Sequence, residues 1–190
     1  MRRFALVVIT ALMITGLFTQ QALAASPHLK GRNPVSFTDN GLTLTATVSY
    51  AGLGNFDSLQ VLTATGNTTS LCTNQGGNQA PGQNPAPVTV VGATPVPAGD
   101  IKNGNVTITT TTDAPVTPVP GAPGCPNPNW TEDITDVAFT SATIRLFQDQ
   151  TAADGQFGRW ETLVLTVSCT FSAPTSDGSV PSSGFTCMTA

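Results

Sequence analysis

The sequence predicts an all-β fold, an immunoglobulin-like β-sandwich or a partly closed barrel of about eight short strands with long Pro/Gly/Asn-rich loops. Three observations carry that reading. Leu42 to Tyr50 alternates without a break, apolar residues at even positions and hydroxyl-bearing ones between them, which is the period of a strand with one face buried. Turn-forming pairs such as Asn40-Gly41 and Asn103-Gly104 punctuate the apolar runs. No window sustains the three-and-four spacing of a helix, threonine is abundant, and prolines are scattered through the loops. "Immunoglobulin-like" is architectural only, because the Trp and Cys placement does not match an antibody-type domain.

The elements follow in order. Met1-Arg2-Arg3 is a basic start, Phe4 to Phe18 an apolar run and Ala22-Leu23-Ala24 a small-x-small cleavage site. Residues 1–24 therefore read as a secretory signal peptide, with an apolar run too short to span a bilayer. Residues 25–34 read as a flexible tail and 35–190 as a single sandwich domain. Val35 to Thr38 and Leu42 to Tyr50 form a hairpin through Asn40-Gly41. Leu59 to Thr65 is a strand, which Gly66-Asn67 would turn back into Thr68 to Cys72. Residues 73–87 are a long turn-rich loop, Val88 to Val91 a short strand, and Val106 to Thr112 a threonine-rich one. Residues 114–129 are loop again.

Asp136 to Gln148 carries a phase slip: Val137 and Phe139 are odd, whereas Ala142, Ile144 and Leu146 are even. One extra residue in a period-two element is a β-bulge. Leu163, Leu165, Val167, Cys169 and Phe171 share the inward face of a further strand. A last loop, 173–184, precedes a short terminal strand that ends at Cys187.

Four cysteines, Cys72, Cys125, Cys169 and Cys187, imply two disulfides in an exported chain. Four cysteines allow three pairings, and sequence alone does not choose. The loops favour Cys72–Cys125, tying down a long irregular segment, and Cys169–Cys187, closing a short Pro/Ser/Gly-rich one. A metal site built on these cysteines lacks a close Cys-x-x-Cys pair and a neighbouring histidine.

Several segments in order, Gly52-Leu53-Gly54-Asn55, Cys72-Thr73-Asn74 running into Gly76 to Pro87, and Cys125-Pro126-Asn127-Pro128-Asn129-Trp130, resemble a group of secreted bacterial β-rich proteins. The resemblance spans about residues 31–171. It implies a secreted, disulfide-linked β protein and favours Cys72 and Cys125 as partners. It carries no catalytic residue across.

Composition narrows the function. Charged residues are 9% of the chain, against an ordinary ~25%. The net charge is −4, and nearer −6 once Arg2 and Arg3 leave with the signal. So few bases exclude extensive phosphate contacts, hence nucleic acid, and disfavour an anionic membrane surface for the mature chain. The single histidine, His28, sits in the expected tail. No Gly-x-Ser-x-Gly elbow accompanies it, so a serine-histidine enzyme is not expected.

The expectation is a non-catalytic extracellular protein with a structural, adhesive or recognition role. Its partners would be a polysaccharide, a cell-envelope component or a second copy of itself. Candidate binding residues are Asn78, Gln79, Gln83 and Asn84 in the first long loop, with Trp130 and Glu132 after the second. The alternative is a carbohydrate-binding module or glycoside hydrolase using Glu132 and Glu161, since sugar cleavage needs two carboxylates across a cleft. No resident cofactor is expected. Asp39-Asn40-Gly41, Asp154-Gly155 and Asp177-Gly178 each resemble half of a calcium site, although Asp-Gly and Asn-Gly are first of all turn chemistry. The threonine arrays at 43–47, 63–65 and 107–111 would present ordered outward hydroxyls. Threonine is also the polar residue that suits strands best.

Overall fold

The computed structural model describes residues 26–82, 87–117, 125, 128–149 and 162–190. The expected signal peptide lies outside them. Among the described residues eleven strands are seen: β1 (His28–Leu29), β2 (Val35–Asp39), β3 (Leu44–Ala51), β4 (Ser58–Asn74), β5 (Gln79–Pro81), β6 (Pro87–Val96), β7 (Val106–Thr111), β8 (Trp130–Gln148), β9 (Thr162–Phe171), β10 (Gly178–Val180) and β11 (Phe185–Thr189). They form two antiparallel sheets that do not close into a barrel. In the first, β3 is flanked by β7 on one edge and by β1 and β2 on the other, with β10 beyond β2. In the second the order is β11-β9-β8-β4, and β5 and β6 share the far edge of β4.

The core lies between the sheets. Leu44, Ala46, Val48 and Tyr50 of β3 are fully buried, as their alternation requires. They face Leu62 and Ala64 of β4 and the apolar residues of β8 in one cluster. Each large side chain removed from water contributes about 1.5–3 kcal/mol. At one end Phe37 meets Phe171 and Phe185 edge-on, with ring centroids 5.1 and 5.0 Å apart.

The bulge read from the phase slip is present. Thr65 pairs with Ser141 and Gly66 with Phe139, so Thr140 is the extra residue. It lets Val137 and Phe139 point inward together with Ala142, Ile144 and Leu146. A second shift, between Thr69 and Ser70, leaves Thr135 unopposed.

Several expectations are corrected. Gly66-Asn67 does not turn the chain; β4 runs straight through it. Glycine is needed there for close approach, since a Cβ would lie 2.7 Å from Val137 Cγ1 and 2.8 Å from the Ala138 carbonyl oxygen. Two expected short strands thereby merge into one of 17 residues, and its partner β8 lengthens to 19. The short strand at 88–91 becomes β6, because β4 offers it a ladder from Ser58 to Asn67. Leu163 is exposed, not inward: Leu146 pairs with Leu165 but Phe147 with Leu163, so Val164 is a bulge that flips its neighbour. The expected free tail is paired as well, His28 with Ala51 and Leu29 with Tyr50.

Both hairpin signals hold. Gly41 has φ of 82°, and Asn103 and Gly104 have 52° and 72°, the two positive values a type I′ turn demands. Prolines 87 and 95 sit in β6, at an edge, where their missing donors are tolerated. That edge packs against β7: Thr94 Oγ1 donates to the Thr109 carbonyl (3.1 Å) and Asp113 N to that of Val91 (2.9 Å).

On the outer face of the first sheet the threonine arrays fall into register. Thr45 bonds Thr111 (2.8 Å), Thr47 bonds Thr109 (2.9 Å) and Ser49 bonds Thr107 (3.0 Å), hydroxyl to hydroxyl. Ser36 and Thr38 stand beside Thr47 and Thr45. Both favoured disulfides are formed, Cys72–Cys125 with Cα atoms 5.6 Å apart and Cys169–Cys187 at 4.1 Å. Cys169 points inward and is buried, as its strand phase requires.

Candidate functional site

β4 outruns its pairing with β6 at Asn67, and β8 outruns β9 beyond Ser141. Their protruding ends take β5 as a third strand and make a small sheet tip. Its register sets Thr73 between Gln79 and Thr131, and Leu71 between Pro81 and Asp133. By strand alternation these residues share one face, while Cys72, Trp130 and Glu132 belong to the other.

The turn from β4 to β5 is held by Asn74. Its Oδ1 accepts from the N–H groups of Gly76 and Asn78, each at 2.9 Å, and Gly77 supplies a φ of 77°. This is the Asn-centred turn chemistry expected of such a sequence. The Gly82 N–H bonds the Ser70 carbonyl (2.8 Å) and ties the returning strand.

Between this turn and the start of β8 lies an open groove of about 420 Å³, lined by Thr73, Asn74, Gln75, Asn129, Thr131 and Asp133. Its lining is mostly amide and hydroxyl, with one carboxylate, Asp133, and one apolar ring, Pro128. The Cys72–Cys125 bridge links the two contributing segments, Cys72 next to Thr73 and Cys125 three residues before Pro128. A smaller cavity of about 220 Å³ opens at the other end of the chain, beside Thr175, Asp177, Ser179 and Pro181.

The residues expected to bind are partly gathered here. Gln79 lies exposed on the groove's face, and Asn78 stands exposed in the turn with its N–H spent on Asn74. Trp130 and Glu132 are half-buried on the opposite face. Glu132 Oε2 is buried and, among the described residues, has no hydrogen-bond partner. Gln83, Asn84 and Glu161 lie outside the described residues. The groove's own Asn74, Gln75, Asn129, Thr131 and Asp133 were not among the candidate binding residues, although they adjoin them in the chain. The available signal was their adjacency to the two bridged cysteines, Cys72 just before one segment and Cys125 just before the other.

Two of the three calcium-like stretches also meet. Around Gly41, where a Cβ would lie 3.5 Å from Asp177 Oδ1 and 3.9 Å from Asp136 Oδ1, the buried Asp39 accepts hydrogen bonds from the Gly41 N–H (2.9 Å) and the Thr175 hydroxyl. Desolvation is the main cause that raises the Asp39 carboxyl above its ordinary value. The two neighbouring carboxylates add to it, and the two hydrogen bonds oppose it. Asp154-Gly155 lies outside the described residues. Among the described residues no group of three His, Cys, Asp or Glu side chains is arranged to hold a metal ion.

No helix among the described residues is long and apolar enough to cross a membrane. Comparison with known families, curated proteins and solved structures finds no match.

Proposed function

We propose that this is a secreted, non-catalytic recognition or adhesion protein whose tip groove takes a neutral, hydroxyl-rich ligand, an extracellular or cell-envelope polysaccharide. The observation that carries the reading is the groove's chemistry on a braced scaffold. The Gln75 and Asn129 side chains carry both amide donors and an acceptor, Asn74 keeps its amide donors while its oxygen holds the turn, threonine hydroxyls do both, and Asp133 accepts. Neighbouring sugar hydroxyls call for that mixture. Rigid display of polar groups limits the ordering cost of binding. The signal-like start and two disulfides, which persist in oxidising compartments, support export.

The test is a glycan-array and cell-wall pull-down with oxidised protein lacking residues 1–24, followed by titration calorimetry on any hit. Selective binding that Asn129→Ala, Thr131→Ala and Asp133→Ala each weaken at least tenfold, with unchanged circular dichroism, supports the groove. Silence across the panel, or hits indifferent to all three changes, rejects it.

A second reading, sugar cleavage by Glu132 with Glu161, draws on the buried Oε2 of Glu132, which has no hydrogen-bond partner among the described residues. Release of reducing ends that disappears in Glu132→Gln and in Glu161→Gln would favour it over simple binding.

A further inference from the structure

We propose that the free edge of β11 is a self-association surface, where two copies of the chain pair antiparallel and fuse their six-stranded sheets into one. The inference is independent of the groove.

Hydrogen-bond parity shows what this edge presents. Ala190 and Thr166 exchange both backbone bonds, N to O at 3.0 Å and 3.2 Å, and the Ser172 N–H bonds the Gly184 carbonyl at 2.8 Å. In an antiparallel ladder bonded and non-bonded pairs alternate. Thr186 and Met188, in register with Thr170 and Ser168, therefore bond inward to β9. Phe185, Cys187 and Thr189 turn their N–H and C=O groups outward. The second sheet ends at β11, so among the described residues no strand meets them.

Edges are commonly blunted by proline, charge, bulges, shortness or a cover. Among the described residues the other outer strands have such protection, β1 being two residues long. β6 carries prolines and lies against β7, while β5 and β10 are three residues long. β11 has five residues and neither charge nor proline, and its pairing with β9 has no bulge. β9 is equally uncharged, and among the described residues the β8 positions in register with it carry one charge, Arg145 opposite Thr166. Met188 is 72% exposed, the most exposed large apolar side chain among the described residues.

A second copy suits this edge because the pairing is self-complementary. With Cys187 opposite Cys187 of the second copy, Phe185 falls opposite Thr189 and Thr186 opposite Met188. Each outward residue then gives one N–H and one C=O, six backbone bonds in all. Met188 and Thr186 meet as side-chain neighbours on the outer face. No like charges oppose one another. The Cys169–Cys187 bridge, behind the edge, holds β11 to its register.

The test is sedimentation equilibrium of the oxidised protein over a concentration series, with residue-resolved hydrogen exchange. The expected result is a monomer–dimer equilibrium in which the Phe185, Cys187 and Thr189 amides gain protection as the dimer fills. Met188→Lys, which places a charge at the seam, and Thr189→Pro, which removes an outward N–H without touching the inward ladder, should each weaken dimerisation at least tenfold. A monomer at every concentration overturns the proposal. So does a dimer that both variants leave intact, or one whose edge amides exchange freely. A chain that stays monomeric alone but adds a strand from another protein likewise overturns self-pairing.

Discussion

The phenol of Tyr50 on β3 donates a 2.6 Å hydrogen bond to Oε1 of Gln60 on β4, crossing the interior from one sheet to the other. Gln60 Nε2 continues to Thr110 Oγ1 on β7 (2.8 Å), and Thr110 donates in turn to Thr94 on β6 (2.8 Å). Tyr50 and Gln60 are fully buried, so each bond stands in for water that cannot enter. Removing one partner strands the other. Tyr50→Phe should lower unfolding free energy by about 1–3 kcal/mol, read from urea midpoints at unchanged slope. An unchanged midpoint would mean that the bond is not made in solution.

Burial pushes the Tyr50 phenol well above its ordinary value, and it is the only tyrosine in the chain. A group whose folded pKa is raised contributes stability below its unfolded pKa, here about 10, and loses it as pH climbs beyond. Tyrosinate absorbance should therefore appear in alkali only as the chain unfolds. Tyr50→Phe should flatten stability against pH in the alkaline range. A smooth titration near pH 10 with the fold intact would show that the phenol is solvated.

Gly66 is pinned between Val137, Ala138 and Phe139 at the bulge. Two of the three atoms a Cβ would strike belong to backbone, which cannot swing aside. Gly66→Ala should destabilise by about 1–3 kcal/mol, the range for overpacking. Deleting Thr140 should be more severe, because a single-residue slip would send Val137 and Phe139 to the opposite face. Thermal melts of both variants check this, and a deletion variant with a native melt would refute the bulge's role.

Asp39 has a raised pKa chiefly through desolvation, with Asp136 and Asp177 adding repulsion. The folded state then holds its proton more tightly than the unfolded one. Its favourable contribution is complete below the unfolded pKa of about 4 and disappears as pH rises through the folded value. Asp39→Asn should remove that acid-side gain and flatten stability between those values. Denaturation at a series of acidic pH values reads the slope, and equal slopes in both proteins would overturn the assignment.

Much of this was legible in the chain. β3 declared itself by alternation, and Thr140 by the phase slip that a bulge must leave in a period-two pattern. Both disulfides formed are the pairing that the loops favoured among three the cysteine count left open. What was misread depended on distant neighbours. Gly66-Asn67 looks like a turn locally, and only the approach of Val137 shows why a glycine stands in a straight strand. The bulge at Val164 left no mark, since Leu163 continues the apolar alternation while facing solvent. The groove was half seen because its two walls, at Asn74 and Asn129, are far apart in the chain and meet only through the β4–β8 register.

The hydroxyl ladder on the first sheet has a consequence for how that face keeps its water. Salt screens charges over a Debye length of about 10 Å at 0.1 M, and ionic surfaces change their hydration with the medium. A hydroxyl has no charge to screen and does not titrate in ordinary conditions. Pairing Thr45 with Thr111, Thr47 with Thr109 and Ser49 with Thr107 also fixes each side chain's rotamer and leaves donor and acceptor capacity for solvent. The spacing of these hydroxyls is accordingly set by the strands, and no charge of their own ties their hydration to an ion atmosphere.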